Sequence, residues 1–416
     1  MHLVFATENF YQEGCSSETG RYAYEMSRRL VERGHTVSVI TRRQGESPKR
    51  ETVNSIDVYR YELSVANHPG PVVLSESVAA SRTVADFIAE IEEDDSPAVL
   101  VIHGEVSGLL VCKHIDDTVP RITTYHSPWP VRYHISTHQS RSGVRRWVNV
   151  KLRRYLERKL LERSTHAITQ SEYMRSKLAR QYDRPVCTTV IPSGVDAGRF
   201  CPSASGSSSI TGGDPAILTI REFSDLGSLE LLLDCFSSVQ SEQTDPHLYV
   251  TGDGALRSEV RTRADRLGIR DDVTVLERVP HGERPGMYAD ADLCMVPTTE
   301  LTGFGLPILE ALAAGTPVVG TPVGGTGEIL TGLAASLDLP APTMATQVEA
   351  DALAECLVAW GDLPNTRRRQ AGAACRRYVR ETYSWDRTIR ELLALCSRVV
   401  TEDVTLDRRT DPIASR

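Results

Sequence analysis

"LTGFGLPILEALAAGTPVVG", residues 301–320, carries Leu306, Leu309 and Leu312 at helical spacing, with Gly303 and Gly305 just before them. The run "LCMVPT" (293–298) before it and "PVVGT" (317–321) at its end both read as short buried strands. Strand, glycine elbow, helix and strand in under thirty residues form one unit of a parallel sheet covered by helices. The stretch holds a single carboxylate, Glu310, inside the helix. An acid in an otherwise apolar helix just after a glycine elbow calls for a partner.

The same alternation extends in both directions. Upstream, "AILTIR" (216–221), a helix from about Gly227 to Val239, "HLYVTG" (247–252), a helix after Gly254 and "VTVLE" (273–277) repeat the pattern. Further back, "LVFAT" (3–7), "TVSVIT" (36–41), "AVLVIH" (98–103), "RITTYH" (121–126), "HAITQS" (166–171) and "TTVIPS" (188–193) are six more strands. Between the first two, Tyr22, Met26 and Leu30 form one buried helical stripe, closed by Gly34. The Ser- and Gly-rich "SASGSSSITGGDP" (203–215) has no apolar period and separates the two halves as a flexible linker or loop. The expected organisation is an N-terminal Rossmann-like domain (1–202), the linker (203–215) and a C-terminal Rossmann-like domain (216–382). A helix (383–400) and a polar, disordered tail (401–416) follow.

Composition agrees with two cores. A chain of 416 residues, 40% hydrophobic and 25% charged, suits two domains of about 200 residues each. A net charge of −8 gives no global attraction to nucleic acid. Nine scattered cysteines lack the close pairs of a zinc or redox site and read as reduced, mostly buried thiols. No leader peptide or run of about 18 apolar residues is evident, so a cytoplasmic protein is expected.

Ligands of open parallel sheets bind at the carboxyl ends of the strands. Gly303 and Gly305 lie at such an end, where free amides and a helix dipole suit an anion. Taken alone, one Gly-x-Gly elbow is more often a tight turn. Two companions, "TGDG" (251–254) and "TPVGGTGEIL" (321–330), favour a phosphate-bearing ligand. Arg221, ending the domain's first strand, offers a planar cation for a diphosphate.

With these residues assembled, "VIPSGVDAGRFCP" (190–202), "GDGALRSEV", "GFGLPILEALAAGTPVVGTPVGGTGEIL" and "YSWDRTIRELLAL" (383–395) resemble the retaining, nucleotide-sugar-dependent glycosyltransferases of GT-B fold, the family 4 group. The resemblance runs from about residue 1 to 400. It implies two Rossmann-like domains closing on a nucleotide-sugar donor, which the C-terminal domain holds, and a last helix that crosses back. It also implies transfer to a glycan or polyprenyl-phosphate-linked acceptor with retention of configuration, with no cofactor and no metal. Basic side chains and amides then stabilise the leaving diphosphate. Arg221 matches the diphosphate-binding arginine, Glu310 the ribose-holding second acid of a Glu-x7-Glu pair, and Gly303, Phe304, Gly305 and Leu306 the phosphate loop. His126 in "TYHSPW" matches the histidine that touches the transferred sugar. Gly252, Gly254 and Arg278 join the donor side, and Ser17, Glu18 and Gly20 the acceptor side.

Several positions depart from the family pattern. Leu226 stands where a lysine is usual, and Thr302 where the first acid of the pair belongs. Ser17 and Glu18 replace paired glycines, and Glu277 a glycine near the base. One lost charge-assisted hydrogen bond is worth about 1.5 to 3 kcal/mol, roughly tenfold to a hundredfold in binding. Arg278 or Arg284 is a candidate replacement. The alternative function is a catalytically degenerate binding or scaffold subunit of a glycan-assembly system; a sugar-nucleotide epimerase is a weaker one.

From Arg132 to Arg163 the chain has ten Lys or Arg against Glu157 and Glu162, interleaved with Trp147, Val148, Leu152, Tyr155, Leu156 and Leu160. Helix 144–163 either lies on an anionic inner-membrane face or packs its apolar stripe on the sheet.

Overall fold

The computed structural model describes residues 1–10, 18–63, 71–136, 143–182, 186–204, 206, 209–221, 223, 225–239, 245–252, 254–299 and 303–407. Two sheets result. The first joins β1 (His2–Thr7), β2 (Thr36–Arg42), β3 (Arg50–Val53), β4 (Ile56–Tyr61), β5 (Val99–Ile102), β6 (Arg121–Tyr125), β7 (His166–Thr169) and β8 (Thr188–Val190) in the order β3-β4-β2-β1-β5-β6-β7-β8. The second joins β9 (Ala216–Ile220), β10 (His247–Thr251), β11 (Val273–Val275), β12 (Leu293–Val296) and β13 (Val318–Gly320) in the order β11-β10-β9-β12-β13, all parallel.

Helices α1 (Glu18–Val31), α2 (Pro71–Asp94), α3 (Glu105–Val111), α4 (Trp129–Ser136), α5 (Gly143–Glu162) and α6 (Glu172–Gln181) belong to the first unit. The second has α7 (Leu226–Ser237), α8 (Arg257–Leu267), α9 (Arg284–Asp290), α10 (Leu306–Ala314), α11 (Gly324–Ser336), α12 (Ala350–Gly361) and α13 (Asn365–Thr382). The last, α14 (Trp385–Asp407), returns to the first unit.

All six residues of β1 are buried, and their alternation divides the core. Leu3 and Phe5 face α1 and α14, with Tyr22, Met26, Leu30, Ile389 and Leu392 packed against them. Val4 and Ala6 face the opposite layer, with Phe87, Ile88 and Ile102. The predicted α1 stripe is buried, and Gly34 closes the helix at φ +80. In the second unit Leu309 and Leu312 are fully buried, while Leu306 at the head of α10 is only partly so.

Three expectations need correction. First, the strand pattern missed the β3–β4 hairpin, the antiparallel edge of the first sheet. Its two-residue turn puts both Asn54 and Ser55 at positive φ, 51° and 61°, a conformation in which Asn without glycine gives a weak sequence signal. Second, the polar segment after residue 400 continues α14 to Asp407 instead of leaving the helix at 401; a helix already nucleated and packed propagates through polar residues at little cost. Residues 408–416 lie outside the described residues. Third, the end of the Ser- and Gly-rich stretch is held down. The amides of Thr211 and Gly212 donate to the Tyr249 hydroxyl at 3.1 and 2.8 Å.

Candidate functional site

The carboxyl ends of the two sheets face each other, and the loops named from the sequence meet there. Gly303 comes against the main chain of His126 so closely that a Cβ on it would stand 2.4 Å from the His126 carbonyl oxygen. The Ser171 hydroxyl donates to the Gly303 carbonyl at 3.0 Å, and the Glu328 carboxylate accepts from the Glu172 and Tyr173 amides at 3.1 Å each. A carboxylate of the second unit thus caps a helix of the first, where the dipole favours negative charge.

Glu310 is 2% exposed. A buried carboxylate needs a charged partner, and the partner comes from the other domain: Arg21 Nη2 donates to Glu310 Oε1 at 2.9 Å. Arg21 Nη1 donates at 2.7 Å to His281 Nδ1, and Arg199 Nη2 to the His281 carbonyl at 2.9 Å. Burial first, then Arg21, Arg199 and Arg284, push the His281 imidazole down to about 2, so the ring is neutral with Nδ1 as acceptor. Beside this cluster opens a pocket lined by Arg21, Asp196, Arg199, Leu306, Glu310 and Trp385, among others.

His126 follows β6. Its Nε2 lies 3.3 Å from His103 Nδ1, and the Tyr22 ring meets both imidazoles edge-on. Burial, reinforced by Arg132 and opposed by Gln170, lowers the His126 pKa to about 4. At neutral pH it is an uncharged hydrogen-bonding group, suited to a sugar hydroxyl rather than to a phosphate.

Arg221 directly follows β9, with Nη1 donating to the Pro297 carbonyl at 3.0 Å and Nη2 3.8 Å from Asp225, which also caps α7. The guanidinium therefore reaches across to the end of β12. Leu226, in the usual lysine position, is the first residue of α7 and 37% exposed. Gly252 and Gly254 have a different role from Gly303. A Cβ at Gly252 would lie 1.6 Å from the Arg221 carbonyl oxygen, and one at Gly254, with φ +143, 2.4 Å from that of Phe223. These two glycines let the loop after β10 pack on the loop bearing Arg221. Gly305 opens α10 in the left-handed region, φ +98. The Phe304 ring is buried in the domain core against Tyr383, so only its backbone belongs to the loop surface. Arg278 is exposed in the loop between β11 and α9 and does not line the interdomain pocket. Glu18 opens α1, and Gly20 packs on the Asn9 main chain. Ser17 and Thr302 lie outside the described residues.

Sequence reasoning missed Arg21, His103, Arg199 and His281. Arg21 adjoins Gly20 and carried no separate signal, because its two contacts span 289 and 260 residues. Among the described residues no group of three or more His, Cys, Asp or Glu is placed to hold a metal ion.

Helix α5 packs only part of its apolar complement inward. Leu160, Leu161 and Glu157 are buried, whereas Trp147 is 61%, Val148 50%, Leu152 50% and Tyr155 57% exposed. Glu157 Oε1 accepts from the Trp129 amide at 2.9 Å, and Oε2 from the Tyr182 hydroxyl and from Gln181. Burial pushes its carboxyl up to about 7.

Comparison with known proteins follows the same division. The family model of Glycosyltransferase Family 4 matches residues 19–199, and that of Glycosyl transferases group 1 matches 214–359. The GDP-mannose-dependent alpha-(1-6)-phosphatidylinositol monomannoside mannosyltransferase of Mycobacterium tuberculosis is 26% identical over 262 residues, 60% of this chain and 66% of that protein. The Mycolicibacterium smegmatis protein of the same name is 25% identical over 228 residues, 52% of this chain and 57% of that one. The chain thus spans less than two thirds of the length of these relatives. Alpha-monoglucosyldiacylglycerol synthase of Streptococcus pneumoniae is 28% identical over 210 residues, 48% of this chain and 46% of that one. Among solved structures, sucrose-phosphate synthase from Thermosynechococcus elongatus superposes with a TM-score of 0.75 at 18% identity, over 96% of this chain and 99% of that one. Anabaena HepE in complex with UDP-glucose superposes with a TM-score of 0.67 at 16% identity, over 96% and 100%. With a family model on each domain and the two-domain fold matched along nearly its whole length, the chain belongs to the GT-B glycosyltransferases of the family 4 type.

Proposed function

We propose that the protein transfers a hexose from a nucleotide-sugar donor to a glycan or lipid-linked acceptor, with retention of configuration and without a metal. The observation that carries this reading is the close approach of the Gly303 loop to the His126 main chain, with Leu306 and Glu310 of the helix that this loop opens lining the adjacent interdomain pocket. Arg221 and the amides at the head of α10 stabilise the leaving diphosphate, Glu310 holds the ribose, and neutral His126 positions the sugar. The leaving phosphate then helps deprotonate the acceptor. HepE was solved with UDP-glucose, and the mycobacterial relatives are named for mannosyl transfer from GDP-mannose to a phosphatidylinositol monomannoside, which supports a nucleotide-sugar donor and a glycolipid acceptor. Those names set no donor base here. The scaffold alternative draws on Leu226, Glu277 and Glu18 among the described positions, and the retained Arg221, Gly303 and Glu310 weigh against it.

A lipid-linked acceptor agrees with α5. Its exposed Val144, Trp147, Val148, Leu152 and Tyr155 lie among Lys151, Arg154, Arg158 and Lys159, a combination suited to the interface of an anionic bilayer. Among the described residues no helix is long and apolar enough to cross a membrane, so such contact is peripheral. Sedimentation with anionic liposomes at low salt, abolished by Trp147→Glu with Leu152→Glu, is the expected result; failure of the native protein to sediment rejects it.

The deciding experiment is a calorimetric and thermal-shift screen against uridine, guanosine, adenosine and thymidine diphosphates and their sugars, first without metal and then with it. Binding of one is expected, with Arg221→Ala weakening it roughly tenfold or more. Sugar transfer that survives both His126→Ala and Arg221→Ala unchanged contradicts the assignment.

A further inference from the structure

Glu310 has a neighbour that the donor reading does not use. Its carboxylate is buried beside the Tyr288 hydroxyl of its own domain. Its Oε1 is held by Arg21, from α1 of the opposite domain. Arg21 is not a loosely placed surface arginine. Its side chain is 21% exposed, its second terminal nitrogen is fixed on His281, and its guanidinium stands 5.9 Å over the Phe200 ring. His281 is tied in turn through its carbonyl to Arg199. Both Arg21 and Glu310 line the interdomain pocket, together with Leu306, whose amide belongs to the head of α10. A ligand that lays its phosphates on that helix end and extends toward Glu310 meets the guanidinium first.

We infer that Arg21 is an internal stand-in for the donor's ribose: it occupies Glu310 while no nucleotide is bound, holds the two domains together there, and is exchanged for the ribose hydroxyls on loading. The inference rests on the proposed donor site. Its physical basis is that a desolvated carboxylate must keep a partner at all times. In the structure that partner is a cation from across the cleft. In the loaded protein a vicinal diol gives the same carboxylate hydrogen bonds from within its own domain, and the direct interdomain bond is given up. Donor affinity is then lower than the pocket alone would give, because one ion pair is broken for each nucleotide bound. Arg21 acts through Glu310 and is a positioning residue.

The test uses the full chain as native protein, Arg21→Gln, Arg21→Lys and Glu310→Gln. Each is read by small-angle scattering without nucleotide and by calorimetry with the nucleoside diphosphate that the native protein binds best. Arg21→Gln is expected to enlarge the radius of gyration of the donor-free protein and to bind the diphosphate roughly tenfold more tightly, a change of about 1.4 kcal/mol. Arg21→Lys, which cannot span both Glu310 and His281, is expected to fall between the two and serves if the glutamine variant fails to fold. Glu310→Gln is expected to enlarge the particle as well but to bind less tightly, which separates the latch from the ribose contact. Weaker binding by Arg21→Gln overturns the inference and makes Arg21 a ligand of the donor. Unchanged size in both Arg21→Gln and Glu310→Gln overturns it too. If no nucleotide binds the native protein, the donor reading fails, while the scattering comparison still decides whether the latch exists.

Discussion

Glu157 sits on a strongly basic helix, yet it points inward and is 2% exposed. Its pKa is raised to about 7 from an ordinary 4.5, chiefly by burial. The sign of the linkage follows. Below about pH 4.5 the carboxyl is protonated in both the folded and unfolded states, and its contribution to stability is fully present; as pH rises through 7 the buried group must ionise, and that contribution is lost. Chemical denaturation is expected to show the native protein losing stability between pH 5 and 8, by up to an amount on the order of 3 kcal/mol, with Glu157→Gln much flatter over the same range. Equal slopes would remove Glu157 as the cause. At this scale the sequence was informative where a residue stands at the end of a strand. Arg221 and His126 are named as candidates that way, and Glu310 from the helix that follows a glycine elbow, since strand ends and elbows are visible in the local pattern. Arg21 and His281 were not legible, because a contact across 260 residues leaves no spacing to read.

The loops and helices carry a second kind of information. The glycine elbows were read together as ligand contacts, but their geometry divides them. Gly303 faces the other domain, while Gly252, Gly254 and Gly325 allow one main chain to pack on another. Gly252→Ala sets a methyl group against the Arg221 carbonyl, a backbone atom with little room to yield, and should cost about 1 to 3 kcal/mol of stability by urea denaturation. Gly303→Ala meets the His126 carbonyl across the cleft instead. It should leave the stability of each domain nearly unchanged while lowering sugar transfer, a split that distinguishes a closure defect from a folding defect. Periodicity located the elements themselves well, since buried parallel strands and helical stripes are repeated patterns. It could not tell which side of α5 packs inward. That depends on Tyr182 and the Trp129 amide, which offer Glu157 hydrogen bonds that no local pattern announces.

The two units are joined by more than their connecting segment. Residues 385–399 complete the first core: Trp385, Ile389, Leu392, Leu395, Cys396 and Val399 are all buried against β1, α1 and their neighbours. Ile389→Ala is expected to cost about 2 to 4 kcal/mol in the unfolding of the first domain, although the mutation lies in the last helix of the chain. A stability change confined to the second domain would contradict this packing. At the scale of the molecule the alternation of strands and helices made both domains legible, and the length of the chain their number. The closed contacts at Glu310, Gly303 and Glu328 were beyond it, because they join surfaces rather than repeat a pattern.

The crossing of α14 also sets a temporal order. A ribosome makes a chain from its N-terminal side onward, so Leu3, Phe5, Val99 and Val101 emerge hundreds of residues before the helix that covers them. The domain begun first is therefore finished last. Until α14 has been made, one face of its sheet lacks part of its apolar cover, the condition in which nascent chains need chaperones and prematurely terminated ones aggregate.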